Sequence, residues 1–566
     1  MLAALFLSAC HEEPESTVIA GDPVLCSSSP TPISQIQGDG WRSPLEGSRQ
    51  TAAGVVTAVA NGEGMYLEEN RAVASGASRA LFVATPELAV HAEPGQYWVV
   101  TGTVQEIGGS RDTLTTLADP VAFAVCSEQQ PLPRSDAKLP LSNVQREALE
   151  GMRLAFDQDV FVSDVYLHHR GVVSVSVGED LRSATEDGAP GEAAARANRA
   201  NRERTLAIRL PETPGSPLPV GSRAGSVVGV LGHDGRNPLL LAENIADPQP
   251  REIPQPFPPA DEGDIRVVSA NLLNFFNGDG MGGGFPAERG ARSLADFEEQ
   301  KARTGAVMAQ LQPDLLAVQE LENDGYGPRS AASTLLQVLE NSTQGNYAVI
   351  EAPGGDYLGG DVISVGLFYL EATLEPVGPP HTLTAEPFLE RSRQPLAQVF
   401  RDRASGETFL VAVNHLKSKG SCPDDGPNRN LRDGQGCWNA VRGESVDELL
   451  PWLGQIAVES GTDKVLVVGD MNAYRNEEPI ERFRAGGYAE LVERLSGLPQ
   501  YSVRFYGQAG TLDYAFASPA LVPLASRAAI WPINADWPPR MALPRPWLRM
   551  SDHDPVIIDL DFLNRR

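Results

Sequence analysis

The sequence predicts a multidomain protein in which all-β modules precede a C-terminal α/β domain, and three observations predict it. The first half repeats short apolar strands separated by turn residues, a proline-dense stretch follows, and the second half alternates apolar strands with helical segments. The 566 residues exceed what one hydrophobic core organises and suggest about three or four folding units. Hydrophobic residues at 42% and charged residues at 21% exclude a disordered, fibrous or membrane-spanning chain. The formal charge of −28 opposes non-specific attraction to a polyanion, so any action on nucleic acid needs bound divalent cations and a local basic cleft.

The first element is the apolar run 1–10, MLAALFLSAC, which matches the hydrophobic region and small-residue cleavage site of an export signal. Leu7-Ser8-Ala9-Cys10 resembles a bacterial lipobox, which would make Cys10 a lipid anchor; an ordinary cleaved signal is the alternative, and either implies export. The expected location is therefore an outer-membrane or cell-surface lipoprotein, or a secreted or periplasmic protein. The remaining Cys26, Cys126, Cys422 and Cys437 are an even set, as expected of disulfides in an oxidising compartment. Three pairings exist in principle; the positions suggest Cys26 with Cys126 and Cys422 with Cys437, each within one presumed domain.

Residues 27–130 form the first β module, with TAAGVVTAVA, GMYLEE, RALFVAT and QYWVVTGTVQEI as strands. Residues 131–250 form a second β-rich domain that looks like a divergent copy, interrupted by GEAAARANRANRERT, a helical insertion or, by default, a solvated basic loop. His168 and His169 fall on an expected strand, where neighbours point to opposite faces and make a poor metal pair. Residues 251–264 form the proline-rich linker, and 265–563 the α/β domain.

In that last domain, polar residues stand at the ends of expected strands, where loops gather them. RVVSANLLNFF presents Asn271, DLLAVQELEND Glu320, FLVAVNHLKSKGS Asn414 and His415, KVLVVGDMNAY Asp470 and Asn472, GTLDYAFAS Asp513, and RMSDHDPVIIDL Asp552 and His553. The residue types fit phosphodiester hydrolysis. Its transition state gathers negative charge, so a site needs concentrated positive charge and a base for water. Carboxylate and amide oxygens suit a hard cation such as Mg²⁺, with Mn²⁺ as an alternative. Alternation puts Glu322 on the same side as Glu320, and Asn472 on the same side as Asp470.

This ordered series resembles the endonuclease/exonuclease/phosphatase superfamily. NHLKSKGSC, GQGCWNAVR and the leading phrase ISQIQGDGWRSPLEGSRQTAAGVVTAV resemble, more narrowly, bacterial extracellular deoxyribonucleases with N-terminal OB-like domains. The resemblance implies OB-like barrels followed by a four-layer, DNase I-like α/β sandwich. It implies a divalent-metal-dependent nuclease acting on extracellular DNA, or on RNA, with membrane association only through Cys10. Glu320 would be the principal metal ligand, Asp552 a direct or water-mediated one, and Asn271 a support. His553 and Asp513 would be the proton-transfer dyad, and Asp470 with Asn472 would position water and a phosphate oxygen. His415 would contact phosphate and protonate the leaving oxygen, with Asn414, Lys417, Lys419 and Arg442 as substrate contacts. The chain departs from the pattern at GGDVISVGLFY, which keeps Asp361 but lacks the neighbouring hydroxyl. The glycine-rich NGDGMGGGFP is a candidate for a structural Ca²⁺, although it lacks a closing Glu and reads as a flexible loop. The rival enzyme reading is a phosphodiesterase or phosphatase of the same fold acting on phospholipid or inositol phosphate. A third reading is a surface-binding protein that has lost activity, which the retained set from Asn271 to His553 opposes.

Overall fold

The computed structural model describes residues 21–563 apart from 61, 72–75, 109–112, 179, 212–216, 235–236, 247, 356 and 498. Residues 1–10, expected to be an export signal ending at Cys10, lie outside the described residues. The chain separates into two compact units. One holds residues up to Gln158 with Ala207–Pro211 and Ser226–Ala246; the other holds Asp159–Leu206, Glu212–Gly225 and everything from Asp247 onward. The second β-rich segment is thus shared between them.

The first unit contains a closed five-stranded barrel of Arg49–Ala60, Gly64–Glu68, Ala80–Ala84, Tyr97–Gly108 and Thr113–Ser127. Alternation sends Met65, Leu67, Leu81, Val83, Trp98 and Val100 into its core, while Tyr66 and Phe82 pack on a separate cluster with rings 4.8 Å apart. Closure leaves no exposed edge to pair with another chain. Cys26 is bonded to Cys126.

The second unit is organised by two six-stranded sheets. One runs in the order Tyr347–Val349, Ile363–Leu370, Leu315–Glu322, Ile265–Phe275, Val556–Leu560, Ala525–Ile530; the other runs Leu374–Thr382, Leu396–Asp402, Thr408–His415, Val465–Asp470, Asp513–Ala517, Ala489–Glu490. The strands are apolar on both faces because each sheet is covered twice. Val267, Leu315 and Leu367 meet Phe409, Val411 and Val468 in the central layer. Val268, Leu316 and Val318 pack outward on the helices Leu294–Leu311 and Ala331–Thr343. Leu410, Ala412 and Val467 pack outward on Asn439–Ser460 and Glu478–Ala485. The result is a helix–sheet–sheet–helix sandwich. Ser293 and Ser330 begin their helices by accepting from Asp296 N and Ser333 N at 3.2 and 3.1 Å.

Two local expectations change. His168 and His169 form a 3₁₀ turn with Arg170, not a strand, closed by Gly171 in the left-handed region at φ 71°. The Ala/Arg/Asn-rich stretch is an ordered helix, Glu192–Glu203, rather than a solvated loop. Its ends are tied down: Gly191 N donates to Asp433 O at 2.6 Å and the Asn201 amide donates to Gln508 Oε1 at 2.7 Å.

Candidate active site

The polar strand ends converge. The buried Asn271 amide donates to Glu320 Oε1 at 3.2 Å and to Asp470 Oδ2 at 3.4 Å, so one side chain joins the ends of both sheets. His415 Nε2 lies 3.5 Å from Asp470 Oδ2. His553 Nδ1 meets Asp513 Oδ2 at 2.8 Å, and that carboxylate oxygen also accepts from Ser502 Oγ at 2.6 Å.

Local backbone geometry produces this. The pairing of Leu315–Glu322 with Ile363–Leu370 shifts register between Val318 and Leu321, and Glu320 sits there at φ 61°. That bulge ends the alternation expected of Glu320 and Glu322 and turns them apart. Glu320 Oε2 accepts from Asn274 N at 2.9 Å, whereas Glu322 accepts from Asn277 N at 3.1 Å. The neighbouring strand breaks register after Asn271, with Leu273 and Asn274 both left-handed. Asp470 and Asn472 do not alternate on an extended segment either: Asn472 has φ 49°, and its N–H donates to Asp470 Oδ1 at 2.8 Å, closing an Asx turn. Gly469, at φ 127°, lies so close to the Asn414 carbonyl that a Cβ would overlap it.

Electrostatics separate the two histidines. Burial opposes charge on His553, yet Asp513, Asp470 and Asp552 outweigh it and hold its pKa well above the ordinary range. Burial, with Arg393 and the His553 charge, pushes His415 well below it, and His415 Nδ1 has no hydrogen-bond partner. That direction favours the neutral ring at His415. Burial raises Asp470 and Glu320, and the nearby carboxylates Asp513 and Asp552 respectively add to it.

Four carboxylates, Glu320, Asp470, Asp513 and Asp552, thus gather around one imidazole. Such a crowd of oxygen donors fits a hard divalent cation, whose charge would relieve it. Asp470, Asp513 and His553 also bring ligand-type atoms within 4.8 Å of one another. Within that trio Asp513 and His553 are already joined by a hydrogen bond.

Several expected substrate contacts are otherwise engaged. Arg442 is fully buried and donates to the carbonyls of Lys417, Cys437 and Gln435, so it orders the loop from inside and cannot reach a phosphate. Lys419 donates to Glu477 Oε1 at 2.6 Å and to Gln435 O at 2.8 Å; burial brings its pKa down to about 8 against the pull of Glu477. Asn414 is buried and bonded to Ala412 O and Val468 O. Lys417 lies over the Trp438 ring at 5.1 Å, and Cys422 is bonded to Cys437. Asp361 pairs with Arg393 at 3.0 Å. In the glycine-rich loop, Asp279 accepts from Met281 N and Gly283 N, which satisfies its carboxylate locally.

Sequence reasoning missed three supports. Ser502 fixes Asp513. Asn534 holds the His553 carbonyl at 2.6 Å. Glu186, buried, accepts from Thr511 N at 2.9 Å and from Arg475 Nε at 3.1 Å, bracing the loops that follow Asp470 and precede Asp513. No local signal marks them, because each joins segments that are distant in sequence.

Residues 268–553 match the Endonuclease/Exonuclease/phosphatase family. None of the curated proteins compared with the sequence matches it. Among solved structures, the human Nocturnin catalytic domain with bound sulfate is 21% identical, covering 52% of this chain and 93% of its own, with TM-score 0.34. The Bacteroides thetaiotaomicron mannosyl-6-phosphatase is 16% identical, covering 52% and 99%, with TM-score 0.36. D. rerio TDP2 complexed with single strand DNA product is 12% identical, covering 53% and 100%, with TM-score 0.33. The family's members are hydrolases acting on phosphoester bonds and generally use divalent metals, and this chain belongs to the Endonuclease/Exonuclease/phosphatase family.

Proposed function

We propose that the protein is an exported, divalent-metal-dependent nuclease that hydrolyses phosphodiester bonds of DNA, and of RNA where presented. The observation that carries the reading is the single cluster in which Asn271 joins Glu320 to Asp470, beside the His553–Asp513 pair. Glu320 and Asn271 would hold Mg²⁺ or Mn²⁺ with help from Asp552, and the ion would neutralise charge growing on the phosphate. Asp470, made more basic by burial, accepts the proton of the attacking water as the new P–O bond forms. His553, kept protonated by Asp513, donates to the departing oxygen as the old P–O bond breaks. His415, neutral, hydrogen-bonds a phosphate oxygen, and the Asn472 turn keeps Asp470 aimed.

Export is part of this proposal, supported by the two disulfides, which persist in oxidising compartments. An OB-like role for the barrel in strand binding belongs to it too, supported by five-stranded closure. The test incubates purified protein and divalent ion with plasmid DNA, RNA, sphingomyelin and inositol phosphates. Metal-dependent loss of plasmid is expected; intact plasmid alongside turnover of a lipid or inositol phosphate would overturn the nuclease assignment.

A further inference from the structure

The helix Glu192–Glu203 does more than cover the catalytic unit. With the hairpin Val503–Phe505/Gln508–Gly510 and the disulfide loop it walls an open groove of about 490 Å³. In a chain of net charge −28, the groove lining includes Arg199, Arg202, Lys419 and Arg432 and no Asp or Glu. Lys419 is held by Glu477 beneath it. Arg199 and Arg432 are exposed and have no carboxylate partner among the described residues.

At the hairpin tip, Phe505 and Tyr506 are 62% and 79% exposed, which is costly for aromatic rings unless something covers them. Their rings meet edge to face at 4.4 Å, leaving ring faces open. The hairpin is fixed rather than free: Ser183 N donates to Ala509 O at 2.8 Å, and Gln508 accepts from Asn201. Two of the lining residues belong to segments that also carry active-site residues: Lys419 follows His415 by four positions and Tyr474 follows Asn472 by two.

We propose that this groove binds an unpaired strand of nucleic acid leading to or from the active site, with Arg199 and Arg432 on its phosphates and Phe505 and Tyr506 against its bases. The inference deepens the nuclease reading and rests on it. Two features select this occupant. A lining of arginines without carboxylates attracts a polyanion that the rest of the surface repels. Exposed ring faces stack on bases, and only a single strand offers unstacked bases; in a duplex those faces are spent on neighbouring bases.

Fluorescence anisotropy of a labelled 15-mer oligothymidylate, in chelator so that it stays intact, tests the assignment. Arg199→Ala/Arg432→Ala and Phe505→Ala/Tyr506→Ala should each weaken binding about tenfold or more. The arginine pair should also flatten the slope of log affinity against log salt by about 1.4. With divalent ion present, turnover of bis(4-nitrophenyl) phosphate should stay at the wild-type rate in both variants. Wild-type binding by both variants, or equal competition by a blunt duplex, would overturn the groove alone. Failure of the wild type to hydrolyse any diester would instead overturn the nuclease reading beneath it.

Discussion

Both compact units bury carboxylates, and the contrast between them shows what makes a site. In the barrel unit, Glu150 is 8% exposed and accepts from Gln37 Nε2 and Thr115 N at 3.1 and 3.0 Å, with no cationic partner among the described residues. Glu68, also buried, is paired with Arg79 at 3.0 Å. In the catalytic unit, Glu320, Asp470, Asp513 and Asp552 crowd one imidazole. A lone buried acid is satisfied by amides or one cation, and its chemistry ends there. A convergent set cannot be satisfied from within and calls for charge from outside.

The sharpest way to break this contrast is Glu320→Gln, which removes one charge from the crowd and keeps one acceptor oxygen for either the Asn271 amide or Asn274 N. Turnover should fall roughly a thousandfold, several kcal/mol of transition-state stabilisation. The unfolding temperature without divalent ion should hold or rise, since a functional charge is being relieved. A variant that unfolds earlier yet keeps its activity would make Glu320 a strut.

Glu186 is the reverse case, a buried acid that is a strut. Glu186→Ala leaves Thr511 N without its acceptor and takes one of three carboxylates from Arg475, which keeps Glu490 and Glu493 at 3.4 and 3.3 Å, and should cost about 1–3 kcal/mol in denaturant unfolding. Loss of activity should follow loss of structure, read as parallel midpoints by activity and circular dichroism. A stable but inactive variant would move Glu186 into the chemistry.

The smallest effect is expected at Glu150. Burial first, then Glu147, holds its folded pKa well above the unfolded value of about 4.3, so the folded state binds the extra proton. Below that unfolded value its cost vanishes; as pH rises above it, stability is lost, until the folded group ionises as well. Glu150→Gln should therefore raise hydrogen-exchange protection of Thr113–Ser127 at pH 8 and leave it unchanged near pH 4. Equal gains at both values would locate the effect in packing instead.

What the sequence made legible follows from what is local. Val267/Val268 and Leu466/Val467 alternate between layers, so strand and sandwich patterns could be read, and the ends of those strands named most of the cluster. The bulge at Glu320 could not be read, because it depends on register against Ile363–Leu370, and period-two reasoning therefore put Glu322 on the wrong footing. Arg442 and Lys419 look like groove cations in a one-dimensional string; only burial shows that carbonyls and Glu477 already occupy them. The composition of Glu192–Glu203 left helix and loop open, since its order depends on Asp433 and Gln508. Glu186 and Ser502 were invisible for the same reason.

Hydrolysis at this cluster depends most directly on the imidazole of His553, which the carboxylates hold protonated. His553→Ala, checked for an unchanged unfolding transition, should lower divalent-dependent plasmid cleavage by about 10²–10⁴-fold relative to wild type. Cleavage by that variant at the wild-type rate would contradict the claim that this cluster performs the hydrolysis.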